Sequence, residues 1–182
     1  MSERTFSPAR RGVLLAAGAV ALVAGAGSAW WLRRTGAAVP AESAGLWALQ
    51  SERPEGGTLP MAAFKGRALL VNFWAPWCPP CVEELPMIDA FFRQHAPNGW
   101  QVVGLAVDKP AAVQKFLDKT PVAFPVGILG LAGLSVVKEL GNAAGGLPFT
   151  LVLDATGHVA ERKIGQITPQ DLQRWATQIR VS

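Results

Sequence analysis

Between Ala68 and Ile179 the apolar positions fall into two patterns, unbroken runs and helical stripes. The run Ala68-Leu69-Leu70-Val71-Asn72-Phe73, bounded by Gly66 and the Pro76 region, reads as a strand buried on both faces. Gln101 to Val107, with VVGLAV at its centre, reads as a second. Between them, Glu83 to His95 places Leu85, Ile88, Phe91 and Phe92 on one side of a helix, with a kink predicted at Pro86. Pro110 to Asp118 reads as a short helix opened by its proline, and Leu134 to Leu140 as another closed by Gly141. Phe149–Leu153 and His158–Ile164 flank Asp154-Ala155-Thr156-Gly157 and predict a hairpin. The last helix has the clearest start: Thr168 as N-cap, Pro169 in the first helical position and Asp171 at the positive end. Leu172, Trp175, Ala176 and Ile179 form its apolar stripe. Strand, helix, strand, two helices, hairpin, helix is an α/β order, with a parallel βαβ portion and an antiparallel C-terminal hairpin.

Ahead of this body the pattern changes. Val13 to Leu32 is twenty residues without a charge, close to the ~20 that span a bilayer core. Arg10 and Arg11 precede it, and Arg33 and Arg34 follow it. Arg4 and the α-amino group tip the balance toward an N-terminus inside and the body outside. A cleaved signal, with small-residue sites at Ala24-Gly25-Ala26 or Gly27-Ser28-Ala29, is one reading. An uncleaved signal anchor is the other, favoured by Trp30 and Trp31 followed by two arginines. Arg10-Arg11 also resembles a twin-arginine export signal, with an ordinary basic leader as the alternative. Residues 35–51, rich in Ala, Pro, Ser and Gly, read as a linker. The expected division is anchor 1–34, linker 35–51 and domain 52–182.

The net charge of +4 belongs to the leader. Five arginines and one glutamate precede Thr35, leaving 12 basic and 12 acidic residues after it. The body therefore has no global basic bias, and nucleic acid is not an expected partner.

Both cysteines of the chain lie in Trp77-Cys78-Pro79-Pro80-Cys81, after the first strand and at the start of a helix. At that spacing the sulfurs reach disulfide distance. The Cys78 sulfur lies at the positive end of the helix dipole, which favours a nucleophilic thiolate. Cys81, one turn in and better shielded, is placed to resolve a mixed disulfide. Pro79 and Pro80 offer no N–H to the sulfur, which tempers the pKa drop. A bridge closing so short a loop is a poor staple. A zinc site needs two further ligands, and the only histidines are His95 and His158.

The stretch Phe73-Trp74-Ala75-Pro76-Trp77-Cys78-Pro79-Pro80-Cys81 resembles the thioredoxin superfamily. Val71-Asn72-Phe73-Trp74, Cys81-Val82-Glu83-Glu84-Leu85-Pro86 and Gly146-Leu147-Pro148-Phe149-Thr150-Leu151-Val152-Leu153-Asp154 resemble its TlpA/ResA-like membrane-tethered branch. The resemblance spans Leu46 to Ile179 and implies a thioredoxin-like fold, a central mixed sheet flanked by helices. It implies a cis bond at Pro148, with the Leu147 backbone pairing with an extended substrate segment. Glu84 matches the branch's acidic position three residues after the second cysteine, which makes it the candidate proton acceptor for Cys81. Asn72 stands where thioredoxins carry an aspartate and cannot take a proton. Trp77 is expected at the surface beside the sulfurs as a partner platform, and Trp74 in the core.

The resulting expectation is an extracytoplasmic thiol–disulfide oxidoreductase of the inner membrane, single-pass, with its domain in the periplasm. It needs no cofactor or metal beyond the Cys78–Cys81 couple. Its partners are a disulfide-bearing envelope protein and a membrane thiol-transfer reductant, with cytochrome c or copper-centre maturation as pathways the resemblance implies. The alternatives are an oxidant that installs disulfides and a Cu(I) metallochaperone using the same pair.

Overall fold

The computed structural model describes residues 41–181. The expected membrane segment at 13–32 lies outside them, and among the described residues no helix is long and apolar enough to cross a membrane. The elements are α1 (Ala41–Ala48), β1 (Gln50–Glu52), β2 (Thr58–Pro60), β3 (Leu69–Trp74), α2 (Pro79–His95), β4 (Gln101–Ala106), α3 (Pro110–Leu117), β5 (Val126–Ile128), α4 (Gly133–Glu139), β6 (Phe149–Leu153), β7 (Val159–Ile164) and α5 (Pro169–Gln178). Single 3₁₀ turns at Met61–Phe64 and Ala96–Asn98 complete them.

The strands form one mixed sheet of order β2-β1-β5-β4-β3-β6-β7. β3, β4 and β5 run parallel, as the βαβ reading requires, while β6 adds antiparallel to β3 and β7 antiparallel to β6. The central strands β3, β4 and β6 are buried along their whole length, which explains their near-continuous apolar runs. Successive side chains point to opposite faces and divide the core in two. Leu70, Trp74, Val102 and Val152 pack against Leu85 and Ile88 of α2, Val113 of α3, and Leu172 and Trp175 of α5. Leu69, Val71, Phe73, Val103, Phe149 and Leu151 pack against Leu46 and Trp47 of α1 and Val137 beside Leu140 at the end of α4.

The expected C-terminal elements are present with their caps. In α5 the Thr168 hydroxyl accepts from the Asp171 N–H, and the Asp171 carboxylate accepts from the Thr168 N–H. Helix α2 starts at Pro79 and continues through Pro86. Pro86 is exposed, and its missing N–H leaves the Val82 carbonyl without an i+4 donor.

The linker expected over 35–51 is corrected for residues 41–51. Leu46 is fully buried, and Trp47 nearly so. The Trp47 indole N–H donates to the Ser43 hydroxyl at 3.1 Å. That hydroxyl donates to the Gly157 carbonyl at 2.7 Å, across the sheet's hairpin turn. Glu42 accepts from the Val159 N–H at 3.1 Å. Small residues dominate this stretch, but two large apolar side chains four and five positions past Glu42 suffice to dock a short helix.

This docking is testable. Leu46→Ala is expected to cost about 2–4 kcal/mol in urea unfolding, the range for emptying a buried leucine site. A true linker would show no loss.

Candidate functional site

Strand β3 delivers the chain to the C-terminal end of the sheet, where the Trp74 carbonyl still accepts from the Val107 N–H of β4's extension at 2.8 Å. A tight turn follows, closed by the Cys78 N–H donating to the Ala75 carbonyl at 3.1 Å. Cys78 is extended, at φ −100 and ψ 102, and caps α2. Pro79 and Pro80 occupy the first helical positions, where a missing N–H breaks no intrahelical bond. The first N–H inside the helix therefore belongs to Cys81. The Val82 N–H closes the first turn onto the Cys78 carbonyl at 3.1 Å. Cys78 and Cys81 are joined as a disulfide, both buried. Trp77, by contrast, is 56% exposed beside them, and Trp74 is fully buried.

One helical turn past Cys81, Glu84 is only 1% exposed. Its carboxylate accepts from the Asn72 amide Nδ2 at 2.8 Å and from the Ile167 backbone N–H at 2.8 Å. Burial pushes its pKa up from 4.5 to about 7, against the opposing pull of the Ile167 and Asn72 hydrogen bonds. Asn72 also donates to the Thr150 hydroxyl at 3.0 Å. Asn72 and Thr150 are direct partners across β3 and β6. They interrupt two otherwise apolar runs, and that shared polarity was the sequence signal for a buried network. Thr150 and Ile167 were not picked out from sequence, and Asn72 was noted only as a non-titrating replacement.

The opposite wall is the entry to β6. The Leu147–Pro148 peptide bond is cis, the geometry that the resemblance implies. The Pro148 carbonyl accepts from the Gly165 N–H at 2.9 Å. Among the described residues neither the N–H nor the C=O of Leu147 is hydrogen-bonded, and its side chain is half-buried. The β3–β6 pairing puts Phe149 opposite Phe73, so Pro148 lies level with the end of β3, from which the cysteines emerge.

The described large apolar side chains that remain exposed are Trp77, Leu131 and Ile164. They follow β3, follow β5 and end β7, so all three lie at the sulfurs' end of the sheet. His95 ends α2 and His158 sits in the β6–β7 turn, both at the other end. Among the described residues no group of three His, Cys, Asp or Glu side chains is placed to hold a metal ion.

The mixed sheet, with a cysteine pair heading α2 and a cis-proline entering β6, is of the thioredoxin-like class. Within it, the chain belongs to the Redoxin family, whose pattern matches residues 34–179. It is 29% identical over 126 residues to thiol-disulfide oxidoreductase ResA of Bacillus thuringiensis (strain Al Hakam), spanning 69% of this chain and 70% of that one. It is 28% identical over 115 residues to sporulation thiol-disulfide oxidoreductase A of Bacillus subtilis (strain 168), spanning 61% and 67%. Among solved structures, MTB dsbF in its mixed oxidized and reduced forms superposes with a TM-score of 0.64 at 27% identity, over 77% of this chain and 98% of that one. The TlpA/ResA-like resemblance thus holds along most of the domain, and the protein is an oxidoreductase.

The raised Glu84 pKa has a stability consequence. The folded protein holds more protons than the unfolded chain between about pH 4.5 and 7, so stability falls as pH rises through that window. Glu84→Gln removes the titration. Relative to that variant, the wild type is expected to lose up to about 3 kcal/mol between pH 4.5 and 8 in urea unfolding. A difference that stays flat with pH would refute the assignment.

Proposed function

We propose that this protein is a membrane-tethered reductant of disulfides in envelope proteins, working on the periplasmic side of the inner membrane. The observation that carries the chemistry is Glu84, a carboxyl poised near neutrality one helical turn after Cys81. In the reduced enzyme the Cys78 thiolate attacks a substrate disulfide, forming a mixed disulfide and releasing one substrate sulfur as thiolate. Glu84 takes the proton from Cys81, and the Cys81 thiolate attacks the Cys78 sulfur. The second substrate sulfur leaves as thiolate, and Cys78–Cys81 is again a disulfide. Two electrons have passed to the substrate, and a membrane thiol-transfer protein returns them.

The unpaired N–H and C=O of Leu147, next to Pro148, support docking of an extended substrate strand beside the disulfide. Trp77 supplies apolar surface next to the sulfurs, and Leu131 and Ile164 extend it along the same rim. Such a rim suits an apolar polypeptide segment; cytochrome c and copper-centre maturation are the pathways that the family resemblance implies. The uncharged segment at 13–32 and the basic excess confined to the leader support tethering, with the domain in an oxidising compartment.

Direction is read from the reduction potential of the Cys78–Cys81 couple, measured by tryptophan emission in thiol buffers. A value near about −270 mV is expected; one near about −120 mV would make the protein an oxidant that installs disulfides. Cys81→Ser is expected to accumulate mixed disulfides with its substrate, and Cys78→Ser to abolish exchange. Glu84→Gln should slow the resolving step about ten-fold or more near neutral pH in stopped-flow reduction of a protein disulfide. Unchanged kinetics would remove the proton-acceptor role.

A further inference from the structure

The segment that leads into Leu147 is rich in glycine and alanine, yet one polar side chain inside it is fully buried: Asn142. It is put there by the end of α4. The Gly141 N–H donates to the Lys138 carbonyl at 3.1 Å and the Asn142 N–H to the Val137 carbonyl at 3.1 Å. With Gly141 at φ +111, this is a Schellman ending that turns the chain inward at Asn142. From there the Asn142 carbonyl accepts from the Gly145 N–H at 2.8 Å, and its Nδ2 donates to the Gly146 carbonyl at 2.7 Å.

We propose that Asn142 is a positioning residue for substrate binding, fixing the Gly146–Leu147 peptide so that the Leu147 backbone is preformed for pairing with an extended chain. This rests on the strand pairing at Leu147 proposed above. Gly145-Gly146 is the most permissive dipeptide available, and unrestrained it would let Leu147 sample many conformations. Asn142 bonds both ends of that dipeptide, the Gly145 N–H and the Gly146 carbonyl. The Gly146 carbonyl is thereby engaged internally, while among the described residues both backbone groups of Leu147, the residue beside Pro148, stay open. Among the described residues the amide's own Oδ1 is buried without a partner, which an apolar side chain of similar size would avoid. A side chain kept at that cost for a single carbonyl contact is acting on that carbonyl. Preorganisation of this kind strengthens binding of a partner with a peptide backbone and leaves sulfur chemistry alone.

The test compares two disulfides in the full-length protein: insulin, which has a backbone to pair, and 5,5′-dithiobis(2-nitrobenzoate), which has none. Asn142→Ala is expected to raise the KM for insulin about ten-fold, the effect of one well-placed hydrogen bond. The kcat, the rate with the small disulfide and the reduction potential should stay within about two-fold or unchanged. Asn142→Ser keeps a small polar side chain but is too short to reach the Gly146 carbonyl, and should raise the insulin KM by a similar factor if the alanine variant does not fold. An unchanged insulin KM, or an equal loss with both disulfides, would overturn the positioning role. A wild-type protein that reduces neither disulfide would instead remove the underlying reading of the site.

Discussion

A carboxyl group buried one helical turn past a cysteine pair, with its hydrogen bonds, is the interaction on which this structure turns. Glu84 binds α2 to β3 through Asn72, to β6 through Asn72 and Thr150, and to the segment before α5 through the Ile167 N–H. Removing a carboxylate from water is costly, and its hydrogen bonds recover only part of that cost, as the raised pKa records. An apolar side chain at this place would avoid that cost but leave the Asn72 and Ile167 donors without an acceptor. Asn72 and Thr150 cannot ionise in this range, so neither hydrogen-bond partner on the strands shares the Glu84 proton. One proton can then be held or released close to Cys81.

Strand register decides whether that arrangement exists. Side chains alternate between faces, so a slip of one residue in β3 or β6 would carry Asn72 or Thr150 to the α1 side and strip Glu84 of its partners. The same register sets Pro148 level with the end of β3, where the Cys78 turn begins. The acid, the sulfurs and the cis peptide at Pro148 are therefore fixed by a single pairing. It is buried on both faces and, apart from the Asn72–Thr150 pair, specified by apolar side chains.

That pairing is also why so much was legible from the residues. Continuous apolar runs announce β3, β4 and β6, and cap chemistry announces α5. The site's two sulfurs and its proline carry unmistakable local patterns. What escaped was short or small. β1 and β2 have three residues each, Gln50–Glu52 and Thr58–Pro60, with one buried side chain apiece, too few for a period to show. β5 is three residues centred on Gly127. α1 looked like a linker because its docking depends on Leu46 and Trp47 meeting a surface built by distant strands. Asn142 was invisible for a related reason: its partner, the Gly146 carbonyl, belongs to the backbone and leaves no mark in the sequence.

The two prolines between the cysteines bear on the direction of electron flow. A dithiol is a strong oxidant when its reduced form is stabilised, chiefly by N–H groups and helix charge around the nucleophilic thiolate. Here the helix end is present but two of its first three amides are missing, because Pro79 and Pro80 fill those positions. Only the Cys81 N–H remains in the first three helical positions to meet the Cys78 sulfur. Less stabilisation of the thiolate shifts the balance toward the disulfide, and a couple that prefers the disulfide gives up electrons readily. The same substitution of proline for amide that stiffens the turn thus argues for a reductant.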